Sequence, residues 1–119
     1  MNSSKRSSTL SCGLAVRLEA IPGKEEEVAE LLLQGLEMVD QEEINPLWIA
    51  VRLGPTTFGI FDAFPNDDGR QAHLEGPVAK ALLDKAPELL AKPLSIEPFD
   101  VLGGKITQEV LDQARLKAA

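Results

Sequence analysis

Two side chains in this chain have the types and the spacing to do chemistry together, Asp62 and His73. His73 is the single histidine among 119 residues. Asp62 falls on an alternating stretch, Thr57 to Phe64, where Phe58, Ile60, Asp62 and Phe64 share one face. Gly59, Phe61 and Ala63 take the other. A face that apolar is buried in any domain with a core, and a buried carboxylate needs a partner to stay charged. Pro65 to Gly69 (PNDDG) then breaks the strand, because proline cannot donate to a ladder and Asn, Asp and Gly favour turns. Arg70 to Leu74 follows as a short helix and brings His73 back as the nearest titratable candidate.

The chemistry open to this pair is general-base catalysis. Asp62 would orient or charge His73, and His73 would take a proton from a bound substrate. Phe58, Ile60, Phe64, Leu74 and Val16 are the expected walls of a dry pocket for a flat aromatic. A plainer alternative stays open. Asp62 would cap a backbone N–H near the Pro65 turn, and His73 would be a polar surface or dimer-contact residue.

Other residue clusters carry less. Glu25, Glu26 and Glu27 fan around a helix start and cannot converge on one ion; there they complement the helix dipole. Cys12, the only cysteine, has no basic neighbour to activate it and is expected to be an inert thiol. One His and one Cys supply no metal-ligand spacing, so they are not expected to build a zinc or haem site alone. Gly103-Gly104 before Lys105 lacks the flanking pattern of a phosphate loop.

The elements that position the pair follow from periodicity. Cys12 to Ala20 alternates, with Leu14, Val16, Leu18 and Ala20 inward, and Ile21-Pro22-Gly23 ends it. Lys24 to Val39 is the strongest helix, its core face marked by Val28, Leu31, Leu32, Gly35, Leu36 and Val39. Leu47 to Leu53 is a second strand, with Leu47, Ile49, Val51 and Leu53 expected inward and Trp48, Ala50 and Arg52 outward. Gly54-Pro55-Thr56 turns it into the Thr57 strand as an antiparallel hairpin. Val78 to Lys85 continues helically after Gly76-Pro77, and Pro87 is expected to open a turn over Glu88 to Ala91. Leu94 to Leu102 is a fourth strand that Pro98 demotes to an edge or marks with a bulge. Thr107 to Lys117 reads as a last helix.

The fold class is therefore α+β, a ferredoxin-like β-α-β-β-α-β order with a four-stranded antiparallel sheet and its helices on one face. Residues 1–11 are expected to be a disordered tail, 12–104 the domain and 105–119 a C-terminal helix. The uncovered sheet face is expected to pack on a second copy of the chain, with Trp48, Arg52, Phe61 and Arg17 at the interface. A monomer with a partly exposed aromatic pair is the alternative.

Composition bounds the partners. A net charge of −7 disfavours nucleic acid and anionic membranes, and no cluster longer than Lys5-Arg6 offsets it. A single cysteine and the lack of an apolar run near the N-terminus fit a reducing, cytoplasmic location.

With Pro22-Gly23 before a Glu-rich helix, Phe58 to Phe64 with its Asp62, and Ala72-His73-Leu74, the chain resembles the antibiotic biosynthesis monooxygenase family of dimeric α+β barrels. The likeness runs from about Leu14 to Leu102. It implies a small cofactor-free homodimer with a pocket between sheet and helices. Family members oxidise electron-rich aromatics or quinols with O2, degrade haem, or handle small signalling molecules. Asp62 matches the family's acidic strand position, Phe64 an aromatic position often held by Trp, and His73 the helix histidine. The chain has no tyrosine, which removes any mechanism that uses one. Around Val16, Phe64 and Leu83 it also lacks the Asn, Trp and His of the haem-degrading branch. On the same barrel, a non-enzymatic ligand-binding or stress-associated module is the second function consistent with these residues.

Overall fold

The structure is a computed structural model and describes residues 10–42 and 46–105. Four strands, β1 (Cys12–Glu19), β2 (Leu47–Arg52), β3 (Thr57–Phe64) and β4 (Ser95–Asp100), form one antiparallel sheet in the order β2-β3-β1-β4. Three helices join them: α1 (Glu25–Val39), α2 (Asp67–Leu74) and α3 (Pro77–Leu89). This is the expected ferredoxin-like α+β order, with the second helical segment split in two. The expected last helix, Thr107 to Lys117, lies outside the described residues.

Local chemistry sets the element ends. Gly23 has φ of 95°, a left-handed turn that glycine enters without a steric penalty. Its N–H donates to Glu25 Oε1 at 3.0 Å, and three glutamates in the first turn of α1 then face the positive end of the helix dipole. Asn66 caps α2, its Oδ1 accepting from the Gly69 N–H at 2.9 Å. α3 starts with Pro77 at its first position and runs on through Pro87 to Leu89, beyond the expected stop. Pro87 and the residue one turn before it, Leu83, are both exposed, so the carbonyl left without its usual donor is on the solvent side. Pro98 sits opposite Leu14 on β4, an edge strand with no second neighbour to serve.

The register corrects one expectation. Trp48 pairs with Asp62, Ala50 with Ile60 and Arg52 with Phe58. Directly paired residues share a face. Trp48, Ala50 and Arg52 therefore lie on the helix-covered side, and Ile49 and Val51 lie on the open side with Phe61 and Gly59. Both faces of β2 are apolar enough to be buried, and Arg52 suggested the wrong one. Its stem crosses the core edge so that Cζ stands 4.9 Å over the Phe58 ring. Its nitrogens then reach Glu26 at 3.3 Å and the Pro55 carbonyl at 2.9 Å. Gly35 on α1 makes room for Trp48, whose Cη2 lies 3.4 Å from where a Cβ would stand.

The core has two parts. Leu18, Val28, Leu32, Phe58 and Ile60 are buried together under α1 and the end of α3. Cys12, Leu14 and Phe64, with Leu74 beside them, form a smaller cluster under α2. Asp62 lies between Ile60 and Phe64 along β3, hence between the two. Gly13, on the open side of β1, is covered by the Phe99 ring, and a Cβ there would collide with that ring and with the Asp62 backbone carbonyl. Gly13→Ala is expected to lose about 1–3 kcal/mol. The change would appear as a lower urea midpoint with an unchanged slope.

Candidate functional site

Asp62 is 1% exposed on the covered face, where it pairs with Leu14 and Trp48. The Asn66-capped helix then folds over that face and delivers His73, 6% exposed, from its last turn. The imidazole lies 5.4 Å from the Phe64 ring, tilted by 40°. Its Nε2 stands 3.3 Å from Asp62 Oδ2. Its Nδ1 stands 3.0 Å from Glu42 Oε1. The cap expected of Asp62 at the Pro65 turn is supplied by Asn66 instead, and His73 is not a surface residue.

Glu42 was not foreseen. It comes from the turn after α1, where its N–H donates to the Val39 carbonyl at 2.9 Å. Nothing periodic in that segment points toward His73, 31 residues away. The two carboxylates decide the histidine's charge. Burial pushes the imidazole's pKa down, but hydrogen bonds to Asp62 and Glu42, and their charges, outweigh it. The net displacement is upward from the ordinary 6.5. A ring with a carboxylate at each nitrogen makes both contacts as hydrogen bonds only when both nitrogens carry protons.

Beside this pair lies a cavity of about 60 Å³. Leu14, Val16, Trp48 and Ile60 line it from the sheet, with Leu94 and Ile96 at the β4 side. Leu74, Ala79, Leu82 and Leu83 line it from the helices, and Asp62 and His73 are the only titratable side chains among its described lining residues. Leu83 and Ile96 are 53% and 42% exposed, which marks the open side between α3 and β4. An engineered apolar cavity that binds benzene measures ~150 Å³. A ring-sized ligand here would therefore project outward past Leu83 and Ile96.

Of the expected wall residues, Val16, Ile60 and Leu74 line the cavity and Phe58 and Phe64 do not. Phe58 is packed among Leu18 and Val28 beneath Arg52, one strand position pair beyond Ile60. Phe64 fills the smaller cluster behind His73. Trp48, expected at a dimer interface, is a cavity wall, and Arg52 is likewise on the covered side. Phe61 and Arg17 are exposed on the open face.

Asp62 Oδ1 is buried and has no hydrogen-bond partner among the described residues. An ionised oxygen so placed is costly unless something donates to it. Among the described residues no group of three or more His, Cys, Asp and Glu side chains could hold a metal ion. Asp62 and Glu42 approach opposite nitrogens of one ring and do not converge. No helix among the described residues is long and apolar enough to cross a membrane.

No protein-family model matches the sequence, and no curated protein matches it. Solved structures do. The NE2512 protein of Nitrosomonas europaea, of unknown function, is 42% identical over 84% of this chain and 97% of its own, with a TM-score of 0.81. A second N. europaea protein, provisionally named an antibiotic biosynthesis monooxygenase, superposes with a TM-score of 0.71 at 19% identity, over 79% of this chain and 92% of its own. A similarly named Caulobacter crescentus protein gives 0.69 at 15% identity, over 86% and 99%. The chain belongs to the same family as the NE2512 protein, and its fold is that of the antibiotic biosynthesis monooxygenases.

Proposed function

We propose that the cavity binds a small electron-rich phenol or quinol and promotes its oxidation by O2 without a bound cofactor. The observation that carries this is the placement of Asp62. It is a buried carboxylate on a cavity-lining residue, in an otherwise hydrocarbon wall, 3.3 Å from an imidazole whose pKa it helps to raise. Removing the ligand's proton there produces an anion that transfers electrons to O2 readily. For a substrate with a methylene activated by that anion, one methylene and one O2 give one carbonyl and one water. The carbon gives four electrons and both its hydrogens, one oxygen atom stays on it and the other leaves as the water. The names of the more distant structural neighbours support this reaction class.

Oxygen uptake with a panel of quinols and anthrones tests it, comparing the wild type with His73→Ala. Uptake is expected with at least one compound, and a fall of about 10²–10⁴-fold in the variant. No uptake with any compound, or a variant at full rate, overturns the catalytic assignment. Saturable phenol binding without uptake would instead mark a ligand-binding module.

We also propose that two copies pair through the open sheet face. Ile49, Leu53 and Phe61 are 49%, 48% and 41% exposed there. Val51 and Leu53 close over Gly59, so the apolar band is continuous from β2 to β3. A band of that kind on a soluble domain marks an interaction surface.

A further inference from the structure

We propose that the ligand is a phenol carrying a hydrocarbon tail, its ring at the Asp62 and His73 end of the cavity and its tail leaving between α3 and β4, over Leu83 and Ile96. This rests on the phenol reading of the cavity and deepens it, by naming the substituent that the site selects.

The cavity runs across the sheet. Its lining residues come from all four strands, Trp48 on β2, Ile60 and Asp62 on β3, Leu14 and Val16 on β1, and Ile96 on β4. The register orders them in two rows, Trp48 opposite Asp62 opposite Leu14, and Ile60 opposite Val16 opposite Ile96. From Asp62 to Ile96 is therefore two strands sideways and one pair along, a diagonal of about 12 Å at ~4.8 Å between strands and ~3.3 Å per residue. A single phenol ring is shorter than that diagonal, so it leaves the β4 part of the cavity unfilled.

The β2 end is closed. Trp48 stands there with Gly35 behind it, and even a methyl group on Gly35 would touch the indole at 3.4 Å. The indole has no room to retreat toward α1, so a ligand gains length only in the other direction. Exposure rises in that direction, from 1% at Ile60 and 3% at Leu14 to 42% at Ile96, with Leu83 at 53% across the gap. Both rim residues are aliphatic, and Leu94 beside them also lines the cavity. Lys80 and Asp84, next to Leu83 on α3, are turned to each other at 3.7 Å. The rim thus matches a hydrocarbon substituent better than a charged or sugar-like one, which would lose hydration against it for no new partner.

The test is equilibrium dialysis of the full chain with 4-methylphenol and 4-hexylphenol, and with 1-naphthol as a ring without a tail. Full burial of a methylene strengthens binding about fourfold, and a half-open groove should give about twofold, so 4-hexylphenol is expected to bind about 30-fold more tightly than 4-methylphenol. Leu83→Gln and Ile96→Thr should each cut that ratio by about threefold or more, and together by about tenfold. Leu33→Gln, at an exposed leucine of α1 outside the cavity lining, should leave the ratio unchanged and so exclude general adhesion of the tail.

Failure of all three compounds to bind overturns the phenol reading and the tail assignment with it. Binding of 4-methylphenol or 1-naphthol with a hexyl-to-methyl ratio under about fivefold overturns the tail assignment alone. A large ratio that both rim variants leave in place, or that Leu33→Gln lowers equally, overturns it too, by putting the tail elsewhere. Leu83 and Ile96 are exposed and lie on different elements, so if one variant fails to fold the other decides.

Discussion

Replacing His73 with leucine is expected to lower the unfolding free energy by about 3–5 kcal/mol, the loss typical of breaking one side of a buried ion pair. For a chain of this length that is a fall of roughly 10–20 °C in Tm. Leucine fills much of the ring's volume against Phe64, so little of the loss is a cavity effect. The larger part is electrostatic. Asp62, 1% exposed, would keep neither of its oxygens paired, and Glu42 would lose its partner at 3.0 Å. The pH dependence separates this from simple repacking. Because the folded-state pKa of His73 is raised above 6.5, its ionic contribution is fully present below about pH 6.5 and is lost as pH rises through the higher folded value. The gap between wild type and variant should therefore be widest in mild acid and narrow toward alkaline pH. The double variant Asp62→Leu with His73→Leu should recover the part of the loss that comes from Asp62, since hydrocarbon then replaces that pair, while the part from Glu42 remains. Urea titrations at several pH values measure all three. A gap of under about 1 kcal/mol that is flat with pH would mean that the imidazole is neutral in the folded protein.

Asp62 and His73 were legible together because one short stretch contains both, and a Pro/Asn/Asp/Gly turn leaves the following helix nowhere to go but back over its own strand. The α1 face was legible for an equally local reason, the 3.6-residue recurrence from Val28 to Val39. Glu42 was not. It acts from a segment with no period, and only the packing of α1 beside α3 brings that segment to His73. The faces of β2 were misread because alternation says which residues share a side but not which side is inward when both are apolar. That choice is made by the register against β3, which sets Trp48 against Gly35 of α1. The cavity was foreseen as a pocket but with the wrong aromatic walls. Unfilled volume depends on where Phe58 and Phe64 pack along the strand, and that follows from the two-part core.

The corrected register also makes the pairing of two chains sharply testable, because neighbouring residues now have opposite jobs. A sheet roofed by helices on one side leaves Ile49, Leu53 and Phe61 facing water, and burying them against a second copy gains about 25 cal/mol for each Å² of apolar surface removed. Phe61 sits on β3, an inner strand, and aromatic residues near the middle of an interface dominate its energy. Phe61→Asp or Ile49→Asp would place carboxylates in that apolar contact, repeated on the partner by the two-fold. Each is expected to weaken association by about 100-fold or more, roughly 2.7 kcal/mol, and to turn a micromolar dimer into a monomer in sedimentation. Trp48→Ala, one residue before Ile49, should leave the dimer intact and instead enlarge the cavity on the far side of the sheet. Naphthol binding should follow the reverse order, altered by Trp48→Ala and kept by Phe61→Asp. A wild-type chain that sediments as a monomer at tens of micromolar, or a Trp48→Ala variant that dissociates while Ile49→Asp does not, would remove the open face as the site of pairing.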